Sequence, residues 1–395
     1  MLKKLEMNIT ANPKVYIVII NYNGWPDTIE CMESVLRNDY PNYQVVVIDN
    51  NSPDKSLEYI RAWAEGKLDV WVKPDNQLRH LSFPPIVKPI PYVCYIKEEA
   101  EKGGNLKLEE KFKICFYEGV TTKYPLIFIQ SGDNLGFAGG NNVGIKYALA
   151  KEDVEYFWLL NNDTVIEKNS LSRLMEAFQL DENIGISGSK LLRYDKPSIL
   201  QSLCGTKKLT WRTGSHGEYL YSNCNDDMSF NNIFEIRGYI IGASMLIKKD
   251  LLKDIGLFDE AYFMWAEESD FCMRALKRNW KMYCCPKSRV YHKEGASSGI
   301  RNTKFLFFRS SSRTTFSRFI ITGYLDVRNN IYFIKKHFGL IGLIGFFFTG
   351  FIKKEIRRTL GIILYDDNKL MRIFMLLKGI KDGIFNNLGK PRELL

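Results

Sequence analysis

Residues 14–52 read KVYIVIINYNGWPDTIECMESVLRNDYPNYQVVVIDNNS, and this stretch decides the fold class. Val15–Ile20 is an unbroken apolar run rich in β-branched residues, the pattern of a strand covered on both faces. Asn21–Gly24 breaks it. Pro26 then suits the first turn of Asp27–Leu36, whose apolar residues recur at helical spacing. Gln44–Ile48 is a second buried run. Ser52-Pro53-Asp54 opens the next helix with a capping hydroxyl, a first-turn proline and an acid that complements the helix dipole. A short third strand is expected at Asp69–Val72. Strand and helix alternating in this order require a parallel sheet with helices on both faces.

Outward from there the order lapses. Five prolines crowd residues 74–91, and a charged segment follows at Lys97–Lys113, so about 74–125 reads as an insertion with one helix or a small hairpin. The pattern resumes with a strand at Leu126–Gln130, the loop SGDNLGFAGG, a helix over Asn141–Ala150 and a buried strand at Tyr156–Leu160. Leu171–Phe178 and Glu268–Arg278 read as helices. Ile184–Ser187, Ile240–Ile247 and Lys281–Cys284 read as strands.

The chain has 395 residues, 45% apolar and 25% charged, which excludes wholesale disorder and gives room for a sizeable core. Its net charge of +10 is unevenly placed: residues 301–395 hold 18 Lys and Arg against 6 Asp and Glu. His337–Ile352 carries no Lys, Arg, Asp or Glu, and lysine and arginine clusters flank it. A buried helix and a membrane span both compete for this run. Contact with a membrane surface suits it better, because cations border an aromatic apolar stretch too short for a comfortable span. Nucleic acid is not expected, since the tail lacks reader spacing. The eight cysteines form no CxxC pair or zinc spacing, so they read mostly as small buried hydrophobes in a reducing compartment. The N-terminus lacks the apolar run of a secretory signal.

Three polar clusters follow predicted strands: Asn21-Tyr22-Asn23, Asp49 and Asp163. In an open α/β sheet, ligands bind beyond those strand ends. Taken alone, each competes with a plain turn or helix cap. The loop GDNLGFAGGNNVG permits close backbone approach to an anion, yet it matches neither the dinucleotide nor the P-loop spacing. Glu267, Glu268 and Asp270 crowd a helix start beside Phe263, Trp265 and Phe271. Mutual repulsion and apolar neighbours raise a carboxylate pKa, as a general base requires. His292 follows a short strand.

In series, IVIINYNG, VVVIDNNS, DNLGFAGGNNVGI, LLNNDT, GASMLIKK, FDEAYFMWAEESD and VYHKEGAS resemble glycosyltransferase family 2, and within it the rhamnosyltransferase-like branch that builds surface polysaccharides. The likeness spans about residues 14–300. The tail motifs VRNNIYFIKKHFG and LKGIKDGIFNNLGKP are similar to the C-terminal region of such enzymes.

The resemblance implies an α/β fold of the GT-A type: a mainly parallel central sheet flanked by helices, with a helical C-terminal extension. It divides the chain into 1–302, the transferase domain, and 303–395, a basic amphipathic region touching the membrane. It implies an inverting transfer of rhamnose or another hexose from a dTDP-, UDP- or GDP-sugar to a glycan or lipid-linked acceptor, on the cytoplasmic face of the cell membrane. Tyr22, Asn23 and Asp49 would serve the nucleotide, and Asn134, Gly136, Asn141 and Asn142 would flank nucleotide and sugar. Asn161-Asn162-Asp163 takes the place of the DXD-type motif. Asp163 and His292 would hold a divalent cation, Mg²⁺ or Mn²⁺. Glu267-Glu268 correspond to the acidic pair, with Glu268 as base and Asp270 as the other candidate. The sequence departs from the pattern in two places. Asn161 brings no charge where Asp is usual, and Glu268 is one methylene longer than the commoner Asp. A nucleotidyltransferase is disfavoured for want of a basic triphosphate loop, and a non-catalytic sugar-nucleotide sensor is the other class left open.

Overall fold

The computed structural model describes residues 12–113, 124–226, 230–294, 313–365 and 369–391. Elements follow the chain as β1 (Val15–Asn21), α1 (Trp25–Val35), β2 (Tyr43–Asp49), α2 (Ser56–Ala64), β3 (Tyr92–Ile96), α3 (Lys97–Ala100), α4 (Leu106–Lys113), β4 (Leu126–Gln130), α5 (Gly136–Leu149), β5 (Tyr156–Asn161), β6 (Thr164–Ile166), α6 (Ser170–Met175), β7 (Ile184–Arg193), β8 (Leu200–Leu203), β9 (Phe234–Ile236), β10 (Ser244–Lys248), α7 (Lys249–Ile255), α8 (Glu267–Lys277), β11 (Lys281–His292), α9 (Arg313–Phe346), α10 (Ile352–Tyr365) and α11 (Lys369–Phe385). One sheet runs β3-β4-β2-β1-β5-β10-β7-β11-β6, with β8 beside β7 and β9 beside β11.

The half from β3 to β5 is parallel throughout. Beyond β5 the sheet is mixed: β10 runs against both β5 and β7, and β11 is parallel to β7 but antiparallel to β6 and β9. The expected parallel pairing thus runs from β3 to β5 and recurs between β7 and β11, while β10, β6, β8 and β9 pair in the antiparallel sense. Strand direction beyond β5 depends on chain reversals that apolar runs do not encode. Helices flank the sheet. Helix α5 lies on β1 and β2 so closely that a Cβ on Gly144 would meet Val18 at 2.6 Å and Ile48 at 2.9 Å. Most of the sequence expectations hold within a few residues. Asp69–Val72 does not form its strand, because the place beside β2 is taken by β4 through Val46–Ile127 to Asp49–Gln130.

The insertion extends this same edge. β3 pairs in parallel with β4, and Tyr95 of β3, Tyr147 of α5 and Lys151 all converge on Glu109 of α4, at 2.8, 3.0 and 2.6 Å. Its proline-rich part docks on α1 through Glu33. The Oε1 atom accepts from Trp63 Nε1 at 2.9 Å and Lys88 Nζ at 3.1 Å, and Oε2 accepts from the Ile86 amide at 2.9 Å and Arg37 at 2.9 Å.

Cys204 and Cys284 form a disulfide, with Cα atoms 5.5 Å apart. This corrects the reading of the cysteines for that pair, which the β7–β8–β11 neighbourhood brings together from 80 residues apart. Cys31, Cys272 and Cys285 are buried thiols as expected. Cys115 lies outside the described residues.

Helix α9 breaks at Gly339, whose φ of 68° and ψ of −168° are not helical. Before the break its side chains are buried in the body: Leu325, Val327, Arg328, Ile331, Phe333 and Ile334 have almost no exposure. After it, Leu340, Ile341, Ile344 and Phe348 face outward, and so do Ile356 and Leu360 of α10 and Leu370, Phe374 and Leu377 of α11.

Glu33→Ala leaves the Trp63 N–H buried without an acceptor and the buried Lys88 ammonium with Asp69 alone, at 3.0 Å. Removing one partner of a buried ion pair costs about 3 kcal/mol or more. Urea denaturation should show that loss with an unchanged slope, and a loss under about 1 kcal/mol would contradict the role given to Glu33.

Candidate active site

The carboxyl ends of β1, β2, β4 and β5 meet at one edge of the sheet, and Asn21, Asp49, Gln130 and Asn161 are their last residues. Asp49 is buried and its two oxygens are fully used. One accepts from Asn21 Nδ2 at 2.8 Å and Ser52 Oγ at 2.6 Å, and the other from the Ser52 amide at 3.1 Å and Gln130 Nε2 at 3.0 Å. Asn23 sits in the left-handed region (φ 53°), and its amide donates to Ser52 Oγ. Its buried Oδ1 has no hydrogen-bond partner among the described residues.

Beyond this edge lies a cavity of about 230 Å³. Tyr22, Asn134, Gly136, Asn141, Asn161 and Asn162 line one side of it. Phe263, Met264 and Trp265 form another, and Ile321, Thr322 and Leu325 of α9 close it. Asn134 Oδ1 is held by Asn50 Nδ2 at 3.2 Å and by the Gly136 amide at 3.0 Å. Asn142 is not in the wall. It turns away to Phe258 O and Glu260 Oε1, at 2.9 and 2.8 Å, and so is a packing residue. Gly136 has a φ of 68°, and a Cβ there would stand 2.1 Å from Phe263 O, which instead accepts from the Phe137 amide at 2.8 Å. That glycine admits a neighbouring loop rather than a ligand.

Asp163 follows Asn162 out of the cavity wall. Its Oδ1 is 3.1 Å from His292 Nε2, and both side chains are nearly buried. The other ring nitrogen, Nδ1, is 2.8 Å from Gln201 Oε1. Burial alone would lower the His292 pKa, but the carboxylates of Asp163, Glu294 and Glu268 outweigh it and the net shift is upward. Lys293, next in the chain, is pinned on α1 by Asp27 and Glu30, both at 2.5 Å, which fixes the backbone beside His292.

The acidic helix start separates its three carboxylates. Glu267 turns into the protein; burial, then the charge of Glu268, push its pKa well above the ordinary carboxylate value. Glu268 Oε1 accepts from the Gly242 amide at 2.9 Å. Burial pushes its pKa up to about 7, against the opposing pull of that amide and of His292. A Cβ on Gly242 would lie 2.3 Å from Glu268 Oε1 and 3.0 Å from the Phe137 ring, so the carboxylate and the cavity wall meet over this glycine. Asp270 faces the opposite way, into Arg274 at 2.8 Å, Lys336 at 2.7 Å and His337 at 2.8 Å. Against its burial, these partners hold its pKa far below the carboxylate range, so the structure removes it as an alternative base.

The structure therefore gathers Tyr22, Asn134, Gly136, Asn141, Asn161 and Asn162 at the cavity; Asp163 follows Asn162 and pairs with His292, whose charge reaches Glu268, while Asn23 and Asp49 are outside the wall, joined to each other through Ser52. It separates Asn142, Glu267 and Asp270. Gln130, Gln201 and the α9 residues were missed; Gly242 stood in the GASMLIKK run, but without its contact to Glu268. No local pattern marks them, because each reaches the site through a strand pairing or a helix return.

The model of the family described as glycosyl transferase family 2 matches residues 16–81, and that described as glycosyltransferase like family 2 matches residues 115–307. The chain is 25% identical over 275 residues to the low-salt glycan biosynthesis hexosyltransferase Agl10 of Haloferax volcanii, covering 68% of this chain and 78% of that one. It is 23% identical over 167 residues to the dTDP-rhamnosyl transferase RfbF of Shigella flexneri, covering 42% of this chain and about half (52%) of that one. Among solved structures, S. aureus TarS 1–349 aligns over 96% of this chain and 82% of its own, with a TM-score of 0.46 and 15% identity. With the two family models in sequence along it, on either side of the insertion, this chain belongs to glycosyltransferase family 2 and is a glycosyltransferase.

Proposed function

We propose that the enzyme moves rhamnose or another hexose from a dTDP-, UDP- or GDP-sugar to a hydroxyl of a growing surface polysaccharide or lipid-linked oligosaccharide, with inversion. The observation that carries this reading is the Asp163–His292 pair, which follows the Asn161–Asn162 wall of the cavity and whose imidazole is close enough to Glu268 for the two charges to interact. Tyr22 serves the nucleotide, Asn23 stands beside it, and Asp49 holds the frame of Asn21, Ser52 and Gln130 behind them, with Asn134 and Asn141 nearer the sugar. Asn161 and Asn162 supply amides but no charge.

The donor set fits a divalent cation. One carboxylate and one imidazole stand together, the imidazole oriented by Gln201, as metal-bound histidines usually are. Among the described residues no three His, Cys, Asp or Glu side chains form a closed cage. Mg²⁺ and Mn²⁺ sites that serve phosphates use few protein ligands and leave places for the substrate's oxygens. A cation bound there supplies Lewis-acid neutralisation of the charge gathering on the diphosphate. Glu268 takes the acceptor's proton as its oxygen attacks the anomeric carbon, and the bond to the diphosphate breaks on the opposite side. The apolar wall of Phe263, Met264 and Trp265 limits water, which would otherwise compete as acceptor.

The C-terminal helices support a place on the membrane surface. The helix over Ile321–Thr349 is long and apolar enough to cross a bilayer. Its first half is committed to the enzyme body, however, with Arg328 and Asn329 fully buried. What remains for lipid is the outward face after Gly339 together with α10 and α11, a surface suited to lying in the interface on the cytoplasmic side.

Glu268 must be ionised to act. Activity in kcat/KM should climb about tenfold per pH unit below about 7 and level off above, and Glu268→Gln should remove that limb with about a 10³-fold loss. The linkage has the opposite sign. The folded pKa exceeds the unfolded one, so ionising Glu268 erodes stability as pH rises through 7, and Glu268→Gln should raise Tm at pH 8 by roughly 2–4 °C. A pH-independent rate in the wild type would reject Glu268 as base. For the metal, EDTA should abolish turnover of a dTDP-, UDP- and GDP-sugar panel and Mn²⁺ or Mg²⁺ should restore it, whereas Asp163→Ala should stay about 10³-fold down at any metal concentration. Full turnover by Asp163→Ala in EDTA would end that assignment. Flotation with anionic liposomes at low salt should carry the full chain upward, and Ile341→Asp with Phe348→Asp should leave it at the bottom; a wild type that does not float contradicts the surface assignment.

A further inference from the structure

The Tyr262–Ala266 loop enters α8 through an unusual backbone: Phe263, Trp265 and Ala266 all have positive φ, at 64, 66 and 76°. Each such non-glycine residue costs about 1–3 kcal/mol and persists only where its surroundings hold it. One side is held by the start of α5, where the Phe137 amide donates to Phe263 O. The other side is held from α9. Asn329 is 1% exposed, and the two N–H groups of its Nδ2 serve three carbonyls, Tyr262 O at 2.9 Å, Met264 O at 2.8 Å and Trp265 O at 2.8 Å, with one hydrogen shared between two of them. The orientation of the amide is fixed, because its Oδ1 accepts from Arg328 Nε at 2.9 Å; the flipped amide would set oxygen against three carbonyls. Arg328 itself reaches Tyr262 O at 3.0 Å and Gly389 O at 2.7 Å.

We propose that Asn329 is a positioning residue for transfer: one carboxamide from the C-terminal helix clamps three carbonyls of the strained loop, and so sets both the Met264–Trp265 wall and the direction in which α8, with Glu268 in its first turn, leaves Ala266. The inference rests on Glu268 being the base. It gives the C-terminal region a task inside the reaction, separate from any contact with lipid. The donor side at Asp49 and Asn134 does not depend on this clamp.

The test uses the full chain, with turnover read as nucleoside diphosphate released from the same nucleotide-sugar panel, and with binding of dTDP, UDP and GDP plus Mn²⁺ measured by calorimetry. Asn329→Ala should lower kcat about 100-fold, as expected for a displacement near 1 Å at the reacting groups. Diphosphate affinity should change less than threefold, and amide hydrogen exchange over 262–268 should quicken. Tyr324→Phe, which removes the 2.7 Å bond from α9 to Asp382 but keeps the ring packed against Phe263 and Arg328, should keep kcat within threefold. Should Asn329→Ala fail to fold, Asn329→Ser, which keeps a shorter donor, carries the same criteria. A kcat within threefold of wild type, or an equal loss in Tyr324→Phe, overturns the proposal. Glu268→Gln in parallel separates the two claims: if it is inactive while Asn329→Ala is active, only the clamp fails; if it is fully active, the base assignment fails first.

Discussion

The register of β11 is the constraint on which the site depends. His292 lies opposite Thr164 on β6 and opposite Arg193 on β7, and Asp163 immediately precedes Thr164. A slip of one residue in either ladder would turn the imidazole to the other face of the sheet and leave Asp163 without it. Much of the surrounding chemistry guards that register. Lys293 is tied to α1 by two carboxylates, Tyr291 donates to Glu167, and Arg289 is held by Asp226 and Glu167. These are buried or half-buried charges. Their worth lies in fixing one arrangement more than in net stability.

The second demand is a carboxylate that is dry yet usable. Placing Glu267 and Glu268 side by side in a buried helix start is unfavourable twice over, through desolvation and through mutual repulsion. The structure resolves this by role. Burial pushes the Glu267 pKa upward, and Asp270 is paired with Arg274, Lys336 and His337. Glu268 alone keeps an ionisation near the working pH, beside a glycine whose missing side chain lets the carboxylate approach the cavity. The strain in Phe263, Trp265 and Ala266 belongs to the same design, since a left-handed turn into α8 sets where its first side chains point.

Much of the fold was legible because buried parallel strands announce themselves. Val15–Ile20, Gln44–Ile48, Leu126–Gln130 and Tyr156–Leu160 read as strands and are strands within a residue or so. Strand partners are another matter. Asp69–Val72 carries an equally plausible pattern but has no ladder, while β3, inside a proline-rich insertion, does. The site was legible where a motif ends a strand, as at Asn161-Asn162-Asp163. It was illegible where one residue serves another from a distance. Gln201 is an ordinary strand residue until β8 folds onto β7 beside His292, and Asn142 reads like a ligand until Glu260 claims it. Glycines misled in a consistent way, for Gly136 and Gly144 make room for protein rather than for phosphate.

The most direct measurement is electron spin-echo spectroscopy of Mn²⁺ bound to the full chain together with a nucleoside diphosphate. The expected result is a nitrogen coupling of the size given by a directly bound imidazole, absent in His292→Ala, together with phosphorus couplings from the diphosphate. A spectrum with phosphorus but no imidazole nitrogen in the wild type would show that Asp163 and His292 do not jointly hold the ion, and would contradict the central claim.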